Sequence, residues 1–166
     1  MNFFSKFVAF ILIICLAPFF IIISILIYFE DGRPILFKQK RIGYQNQFFY
    51  IYKFRTMKTD TPDIATHLLE SKNLITFWGK FFRKYSIDEL PQLINVFNGD
   101  MVFIGARPAL FNQHDLIELR TKNQIHHHKP GLTGLAQVNG RDKISIKEKV
   151  SYEIDYLNNQ SLLLNF

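Results

Sequence analysis

Two adjacent carboxylates, Asp88 and Glu89, lie at the predicted start of a helix. The first turn of a helix carries free backbone N–H groups and a partial positive charge, and both stabilise an ionised carboxylate. A carboxylate held in this way can bind Mg²⁺ or attack a phosphorus atom, as in enzymes that pass through an aspartyl phosphate. The pair alone is a weak signal of phosphoryl-transfer chemistry, and its value depends on the residues that surround it.

Two arginines are candidates for holding the phosphate that such chemistry requires. Arg83 lies upstream of Asp88, and Arg107 stands at the predicted opening of a later helix. A guanidinium group binds phosphate oxygens through two parallel hydrogen bonds. Mg²⁺ at the carboxylates would reduce the repulsion between an anionic nucleophile and an anionic phosphate.

Glu89 also has a purely structural interpretation. Residues 86–89 match the capping-box pattern, in which the Ser86 hydroxyl and the Glu89 carboxylate would each accept a backbone N–H at a helix start. Pro91 favours a helix start nearer Asp88, because proline is best tolerated in the first turn. From the sequence, both interpretations of Glu89 stay open.

These residues need a scaffold, and its first element is an apolar N-terminal segment. Residues 7–29 contain no charged residue. As a helix of about 23 residues they would extend roughly 34 Å, enough to cross a hydrocarbon core of about 30 Å. Pro18, near the middle, predicts a kink. The pattern permits either a kinked spanning helix or a re-entrant hairpin that breaks at Pro18.

The distribution of charge places the rest of the chain in the cytoplasm. Lys6 precedes the apolar segment, whereas four basic residues follow it closely: Arg33, Lys38, Lys40 and Arg41. Basic residues favour the cytoplasmic side of a membrane. The net charge of +6 would attract anionic lipid headgroups and phosphorylated substrates alike. The basic residues are dispersed and form no recognised nucleic-acid motif, so nucleic acid is not an expected partner.

The length and composition bound the domain organisation. The chain of 166 residues suffices for one domain with a single core. We predict a membrane segment at residues 1–29 and a cytoplasmic catalytic domain at residues 30–166. The single cysteine, Cys15, excludes an intrachain disulfide and a zinc site built from thiolates.

Beyond the membrane segment the pattern predicts a helix-dominated α+β domain. Strands at residues 35–41 and 48–57 flank a turn and form a small β-hairpin. An amphipathic helix follows, suited either to the membrane interface or to an ordinary core. Its apolar stripe consists of Leu74, Phe77, Trp78, Phe81 and Phe82. Further helices are predicted at residues 64–71, 86–97, 109–122 and 147–158, and loops at residues 130–134 and 137–142.

Four segments, taken in order along the chain, resemble the bacterial sugar transferases. They are residues 52–57 (YKFRTM), 86–96 (SIDELPQLINV), Arg107-Pro108 and residues 130–141 (PGLTGLAQVNGR). Members of this family are monotopic phosphoglycosyl transferases that begin capsule, O-antigen and glycoprotein glycan assembly. The match covers essentially the whole chain, and the central motif is too long to be a chance agreement.

The resemblance implies a reaction at the bacterial inner membrane. A sugar 1-phosphate would pass from a UDP-sugar to undecaprenyl phosphate, with release of UMP, and glycosyltransferases that extend the glycan would be further partners. The route would be ping-pong, through a phosphosugar bound covalently to Asp88, which would also be a ligand of the cofactor Mg²⁺. Glu89 would orient the polyprenyl phosphate or accept its proton. Substrate contacts are implied for Arg83, Arg107, Lys53, Arg141 and Asp155.

The same resemblance favours a re-entrant hairpin with amphipathic interfacial helices around the active site. Two residues depart from the family pattern there. Ala17 precedes Pro18 where serine is common, so a hydroxyl that could help to break the helix is absent and the break would depend more on Pro18. Ala106 stands where proline is usual, so the loop at Arg107 would be less rigid.

The sequence leaves open whether the chain is catalytic, whether the reaction passes through a covalent intermediate, and which sugar is transferred. The chain ends at Phe166, where family members continue into further amphipathic residues, so a catalytically degenerate membrane-anchored binding or scaffold protein of the same family is one alternative. A transferase that acts by direct displacement, without a covalent intermediate, is another. The sugar is also open: residues 61–66 and 107–113 are most similar to members that use N-acetylated 6-deoxyhexoses such as FucNAc, QuiNAc or bacillosamine.

Overall fold

A computed structural model describes residues 2–59, 74–140 and 143–159 and has a helix-dominated α+β architecture. The helices in these ranges are α1 (Asn2–Asp31), α2 (Phe77–Lys84), α3 (Leu93–Asn98), α4 (His114–Lys122), α5 (Leu135–Val138) and α6 (Ile146–Asn158). The strands are β1 (Leu36–Ile42), β2 (Phe48–Phe54), β3 (Val102–Ile104), β4 (Ala109–Leu110) and β5 (Gly131–Thr133). Short 3₁₀ helices occupy Tyr44–Asn46, Ile87–Gln92 and Ile125–His127. The helix predicted at residues 64–71 lies outside the described residues.

The apolar segment forms one helix of 30 residues, α1, with Pro18 inside it. Of the helices in the described ranges, α1 alone is long and apolar enough to cross a membrane. Helical structure continues on both sides of Pro18, so the predicted break does not divide the segment into two elements. Most of the α1 side chains are at least partly exposed, as expected for a helix that contacts lipid.

Both halves of α1 pack against the same globular body. Before Pro18, Ala9 joins a buried cluster that includes Ile51 and Val96. After Pro18, Ile23 packs in a second cluster with Phe54. The helix is therefore held to the body of the protein along its length, and not only at the end where the chain continues.

The predicted β-hairpin is confirmed. β1 and β2 pair antiparallel from Leu36 opposite Phe54 to Ile42 opposite Phe48, and the intervening turn contains the 3₁₀ helix Tyr44–Asn46. β4 adds to the other side of β1, with Ala109 opposite Ile42. The resulting three-stranded sheet has the order β2-β1-β4, so the backbone of β2 lies at an edge.

A buried side chain on α3 covers part of this edge. The Tyr52 N–H donates to Asn95 Oδ1 at 3.1 Å, and Asn95 Nδ2 donates to the Tyr50 carbonyl at 2.8 Å. Asn95 is fully buried. These two bonds fix α3, and the 3₁₀ helix that leads into it, against β2.

We expect Asn95→Ala to lower the free energy of unfolding by about 2 kcal/mol or more, because it leaves buried backbone groups on β2 without partners and opens a cavity. Chemical denaturation of the detergent-solubilised protein would measure the loss. Asn98→Ala, at an exposed position on the same helix, is the matched control and should change stability by no more than about 0.5 kcal/mol. Equal stability of the two variants would contradict this account of Asn95.

The helix predicted around the aromatic stripe is shorter than expected. It begins at Phe77, because the Thr76 side chain accepts the Gly79 N–H at 3.0 Å and caps it. Leu74 therefore lies outside α2, and the neighbouring Ile75 forms an isolated β-bridge with Met57. Within α2, Phe82 is buried in the core while Phe77 and Phe81 are exposed. One face of α2 thus packs on the body and another presents aromatic side chains outward.

Three other sequence predictions need correction. Residues 86–97 do not form one helix, because a 3₁₀ helix over Ile87–Gln92 precedes α3. The helix expected from residue 109 begins only at His114, since Ala109–Leu110 pairs with β1 as a strand. The predicted loop at residues 130–134 contains β5, which pairs parallel with β3.

The close approach of glycine backbones explains why β5 pairs with β3. A Cβ on Gly131 would lie 2.2 Å from the Gly105 nitrogen, so only glycine lets the two strands come together there. Helix α5 likewise overlaps the loop predicted at residues 137–142. The helix predicted at residues 147–158 is confirmed as α6, which begins with a capping box between Ser145 and Glu148.

Candidate active site

The 3₁₀ helix Ile87–Gln92 carries Asp88 and Glu89 in its first turn, and its neighbour is β2. The residue before it, Ser86, has a positive φ of 55° and its side chain makes no capping hydrogen bond. The capping-box interpretation of Glu89 is therefore wrong. The prediction fails because side chains from distant parts of the chain bind the Glu89 carboxylate instead.

Glu89 is the centre of an ionic cluster. Lys53 Nζ, from β2, donates to Glu89 Oε1 at 3.1 Å. Arg107 donates one guanidinium N–H to Oε2 at 3.0 Å and a second to Oε1, which makes the pair bidentate. Glu89 is only 9% exposed. The carboxylate thus holds two cations at the start of the 3₁₀ helix.

Electrostatics keep Glu89 ionised. Burial by itself would raise the pKa of Glu89, but the hydrogen bonds and positive charges of Arg107 and Lys53 outweigh it and hold the pKa well below its ordinary value. Burial lowers the pKa of Lys53, although the Glu89 charge opposes that shift. A carboxylate so strongly stabilised as an anion is a poor proton acceptor. The geometry favours an orienting role for Glu89.

Asp88 has a different environment from its neighbour. Asp88 is only 8% exposed. It forms no ion pair within residues 2–59, 74–140 and 143–159. Burial raises the pKa of Asp88, while the charges of Lys53 and Arg83 counteract the rise. Asp88 is therefore a buried carboxylate near two cations that makes no ion pair with a described residue.

The donor set around Asp88 fits one kind of Mg²⁺ site. No group of three or more His, Cys, Asp or Glu side chains among the described residues forms a ready-made metal cage. Mg²⁺ often binds through one or two carboxylates together with substrate phosphates and waters. Asp88 suits that arrangement, because Glu89 is already engaged by Lys53 and Arg107.

Two polar residues directly after β2, Arg55 and Thr56, bind different parts of the protein. Arg83 Nε donates to Thr56 Oγ1 at 2.8 Å, which positions the guanidinium group near Asp88. Burial lowers the pKa of Arg83, and the Asp88 charge opposes the shift. Buried Arg55 forms an ion pair with Asp31 at 3.1 Å and also donates to its backbone carbonyl. Arg55 thus ties the end of α1 to the strand that carries Lys53.

Arg107 lies on a loop between β3 and β4, and not at the opening of a helix as predicted. Backbone hydrogen bonds hold this loop to β5: the Gly105 N–H donates to the Thr133 carbonyl, and the Gly131 N–H donates to the Ala106 carbonyl, each at 2.8 Å. Arg41 also donates to the Pro108 carbonyl at 2.9 Å. The loop is fixed on both sides of Arg107 without a proline at position 106.

Two cavities meet at this cluster. A polar cavity of about 610 Å³ is lined by Lys53 and Arg107 and extends to α6. A smaller and less polar cavity of about 320 Å³ is lined by Glu89, Arg107 and the exposed Val138. Arg107 and Gln137 line both. The two cavities therefore adjoin at Arg107 and Gln137, and Glu89 lines the smaller one.

The structure gathers only part of the predicted site. Lys53, Asp88, Glu89, Arg83 and Arg107 come together as described, and of these Lys53, Glu89 and Arg107 line the two cavities. Asp155 is exposed on α6 and lines neither of the two cavities, so its substrate contact stays a prediction from the resemblance. Arg141 lies outside the described residues.

Sequence reasoning missed several residues that position the site. Thr56 holds Arg83, Arg55 anchors α1, and Asn95 fixes the 3₁₀ helix against β2. All three lie inside the segments at residues 52–57 and 86–96 that carried the resemblance. The sequence signal that could have found Asn95 is its position as a polar residue between the apolar Ile94 and Val96.

Comparison with known proteins assigns the chain to a family. The family model described as bacterial sugar transferase matches residues 1–166. The sugar transferase EpsL of Bacillus subtilis is 41% identical over 158 residues, covering 93% of this chain and 76% of its own length. The UDP-glucose:undecaprenyl-phosphate glucose-1-phosphate transferase of Xanthomonas campestris is 36% identical over 170 residues, covering 97% of this chain and 35% of its own length.

A third relative is named for a different sugar. The undecaprenyl-phosphate galactose phosphotransferase of Salmonella typhimurium is 32% identical over 152 residues, covering 80% of this chain but 31% of its own length. The chain thus spans about a third of the length of the Xanthomonas and Salmonella relatives and about three quarters of the length of EpsL. With the family model matching from the first residue to the last, this chain belongs to the bacterial sugar transferase family.

Proposed function

We propose that this chain transfers a sugar 1-phosphate from a UDP-sugar to undecaprenyl phosphate and releases UMP. The observation that carries the proposal is the pairing of two unlike carboxylates. Asp88 is buried without an ion pair in the described part of the chain, while Glu89 is bound by Lys53 and Arg107. Relatives named as undecaprenyl-phosphate sugar transferases support the substrate class.

The proposed first step is an attack by an Asp88 carboxylate oxygen on the phosphorus that carries the sugar. The bond from this phosphorus to the UMP oxygen breaks, and UMP leaves with the electron pair. The sugar phosphate is then attached to Asp88 as an acyl phosphate. Arg83 and Lys53, whose charges act on Asp88, would stabilise the negative charge that builds up on the phosphoryl oxygens.

In the second step an oxygen of undecaprenyl phosphate attacks the same phosphorus, and Asp88 leaves as a carboxylate. A phosphate dianion needs no base to become a nucleophile. The lowered pKa of Glu89 is consistent with this requirement, because Glu89 would orient Arg107 and Lys53 instead of accepting a proton. Mg²⁺ bound at Asp88 would neutralise part of the negative charge on the phosphate oxygens.

The acceptor is a lipid, so the site must lie near the membrane surface. The exposed aromatic side chains of α2 support this placement, since aromatic residues are favoured at membrane interfaces. The smaller cavity, with its partly apolar lining of Leu90, Leu132 and Val138, would admit the phosphate end of the lipid. We place the protein in the bacterial inner membrane with this site facing the cytoplasm.

We further propose that α1 is re-entrant, with both ends on the cytoplasmic side. At its C-terminal end, Glu30 accepts backbone N–H groups of Phe77 and Trp78. At its N-terminal end, Lys6 packs so closely on Gly99 that an added Cβ would lie 2.8 Å from Lys6 Cε. A helix that crossed the bilayer would separate these ends by about 30 Å of hydrocarbon. Contacts of both ends with one body favour re-entry, with Pro18 as the position of any bend.

Cysteine labelling tests this topology. Phe3 and Arg33 are exposed at the two ends of the segment, so Phe3→Cys and Arg33→Cys, each in a Cys15→Ala background, should react with a membrane-impermeant maleimide only in inside-out vesicles. The Arg33→Cys variant is the internal control for vesicle orientation. Labelling of Phe3→Cys from the outer face of intact spheroplasts would show a spanning helix.

A panel of UDP-sugars with undecaprenyl phosphate and Mg²⁺, read by UMP release, tests the function itself. We propose an N-acetylated 6-deoxyhexose as the sugar, from the similarity of residues 61–66 and 107–113 to family members that use it. The panel includes UDP-glucose and UDP-galactose, because two relatives are named for these sugars. No UMP release with any donor, from protein that remains folded in the membrane, would favour the non-catalytic binding or scaffold alternative.

A further inference from the structure

The larger cavity has the size and position of a substrate site. Its volume of about 610 Å³ falls within the range of roughly 300–1,000 Å³ typical of small-molecule sites. Its wall runs from Lys53 and Arg107, beside the carboxylate pair, to Ile146, Lys149 and Glu153 on α6. A ligand that fills it would therefore reach from Lys53 and Arg107, the two cations bound to Glu89, to the last described helix.

The lining of this cavity is strongly basic. Among the described residues that line it, Glu153 is the only carboxylate, and both of its oxygens are bound by Arg120. The basic lining residues are Arg41, Lys53, Arg107, Arg120 and Lys149. A concave surface with such an excess of positive charge attracts an anionic ligand.

Two amides add hydrogen-bond donors to the same wall. Gln39 Oε1 accepts from Arg41 at 2.7 Å, and Gln113 Oε1 accepts the Leu110 N–H at 2.9 Å. Because each oxygen is already engaged, the NH₂ end of each amide is the part left to bind a ligand. The lining therefore suits a ligand rich in hydrogen-bond acceptors, as a nucleotide diphosphate sugar is.

Lys149 differs from the other cations of the cavity. Lys53 and Arg107 bind Glu89, Arg120 binds Glu153, and Arg41 binds Gln39. In the described part of the chain, no hydrogen bond or ion pair engages the half-buried Lys149 ammonium group. Its helix is nevertheless well fixed, by the capping box at Ser145 on one side and by Glu153 on the other.

We propose that Lys149 is a donor-binding residue whose ammonium group contacts the nucleotide phosphate of the UDP-sugar in this cavity. The inference rests on the proposed function. When the bond between the two phosphorus groups breaks, the nucleotide phosphate leaves as UMP and gains negative charge, which a nearby ammonium group stabilises. Lys149 does not line the smaller cavity, so the acceptor step should not depend on it.

The test compares two lysines on one helix. Lys149→Met keeps the length of the side chain and removes its charge, whereas Lys147→Met does the same at an exposed position on α6 that lines neither cavity. In a ping-pong reaction, kcat/KM for each substrate reports its own half-reaction. We expect Lys149→Met to lower kcat/KM for the UDP-sugar by about 10-fold or more, the loss typical of one charge-assisted hydrogen bond. The value for undecaprenyl phosphate should stay unchanged, and Lys149→Arg should recover most of the loss.

Binding of UMP alone, measured by titration calorimetry on the full chain in nanodiscs, gives a second readout that needs no turnover. Lys149→Met should weaken UMP binding by about 10-fold, and Lys147→Met should leave it unchanged. Equal UMP affinity in wild type and Lys149→Met, or equal losses of kcat/KM for both substrates, would overturn the assignment. Wild-type protein that binds UMP but releases none from any UDP-sugar would instead defeat the proposed function while leaving the Lys149 contact standing.

Discussion

Asp88→Asn should abolish the covalent phosphosugar adduct and lower UMP release by about 10³-fold or more, because an amide oxygen cannot replace the carboxylate as nucleophile. Mass spectrometry after incubation with UDP-sugar and Mg²⁺, without acceptor, should find the adduct on the wild-type chain and none on the variant. This measurement also separates the covalent route from direct displacement, which leaves no adduct on either protein.

The stability of the same variant is informative, because burial raises the pKa of Asp88 in spite of the nearby charges of Lys53 and Arg83, and Asp88 forms no ion pair with a described residue. Removing a buried charge of this kind should leave the thermal unfolding midpoint unchanged or raised. Loss of activity without loss of stability would therefore mark a functional carboxylate. Asp115→Asn, at an exposed position in the first turn of α4, is the matched control and should keep wild-type turnover. Near-normal UMP release from Asp88→Asn would remove Asp88 as the nucleophile.

Glu153→Gln should lower the free energy of unfolding by about 3–5 kcal/mol, the cost of leaving a buried charge without its partner. Arg120, on α4, donates from Nε to Glu153 Oε2 at 2.8 Å and from a second guanidinium nitrogen to Oε1. Both residues are at least 90% buried. The pair joins α4 to α6 and therefore holds the wall of the larger cavity.

A double replacement separates the charge from the packing. Arg120→Met with Glu153→Leu substitutes apolar side chains of similar size, and such exchanges of buried ion pairs are often neutral or stabilising. We expect the double variant to recover most of the stability lost in Glu153→Gln, as measured by denaturant unfolding in detergent. A single variant that loses less than about 1 kcal/mol would show that the pair is exchanging with solvent and does not hold the two helices together.

The local pattern was sufficient for several elements. The apolar residues 7–29, the two strand-like runs that flank a turn, and the carboxylates before Pro91 predicted the membrane-type helix, the hairpin and the helical start that carries Asp88. Each depends on residues close together in the chain, whose side-chain periodicity and backbone preferences act locally. The same short-range information carried the resemblance to the family, which the comparisons confirm.

The fate of Glu89 shows where local information fails. Residues 86–89 have the capping-box pattern, yet Ser86 adopts a left-handed conformation and Glu89 binds Lys53, which lies 36 positions away in the chain. A capping hydrogen bond is worth about 1 kcal/mol, whereas a buried bidentate pair with a second cation binds a carboxylate more strongly. The stronger, distant partners therefore decided the geometry.

The sequence by itself determined that Asp88 and Glu89 stand together at a helical start, in a chain that also carries an apolar helix and belongs to the bacterial sugar transferase family. Only the tertiary structure decided that the two carboxylates differ, with Glu89 engaged by Lys53 and Arg107 and Asp88 buried outside the ion pairs of the described residues. It also paired β5 with β3 and Arg120 with Glu153. The reason is that burial and ion pairing depend on which distant residues meet, and those contacts set the charge state and orientation of each side chain.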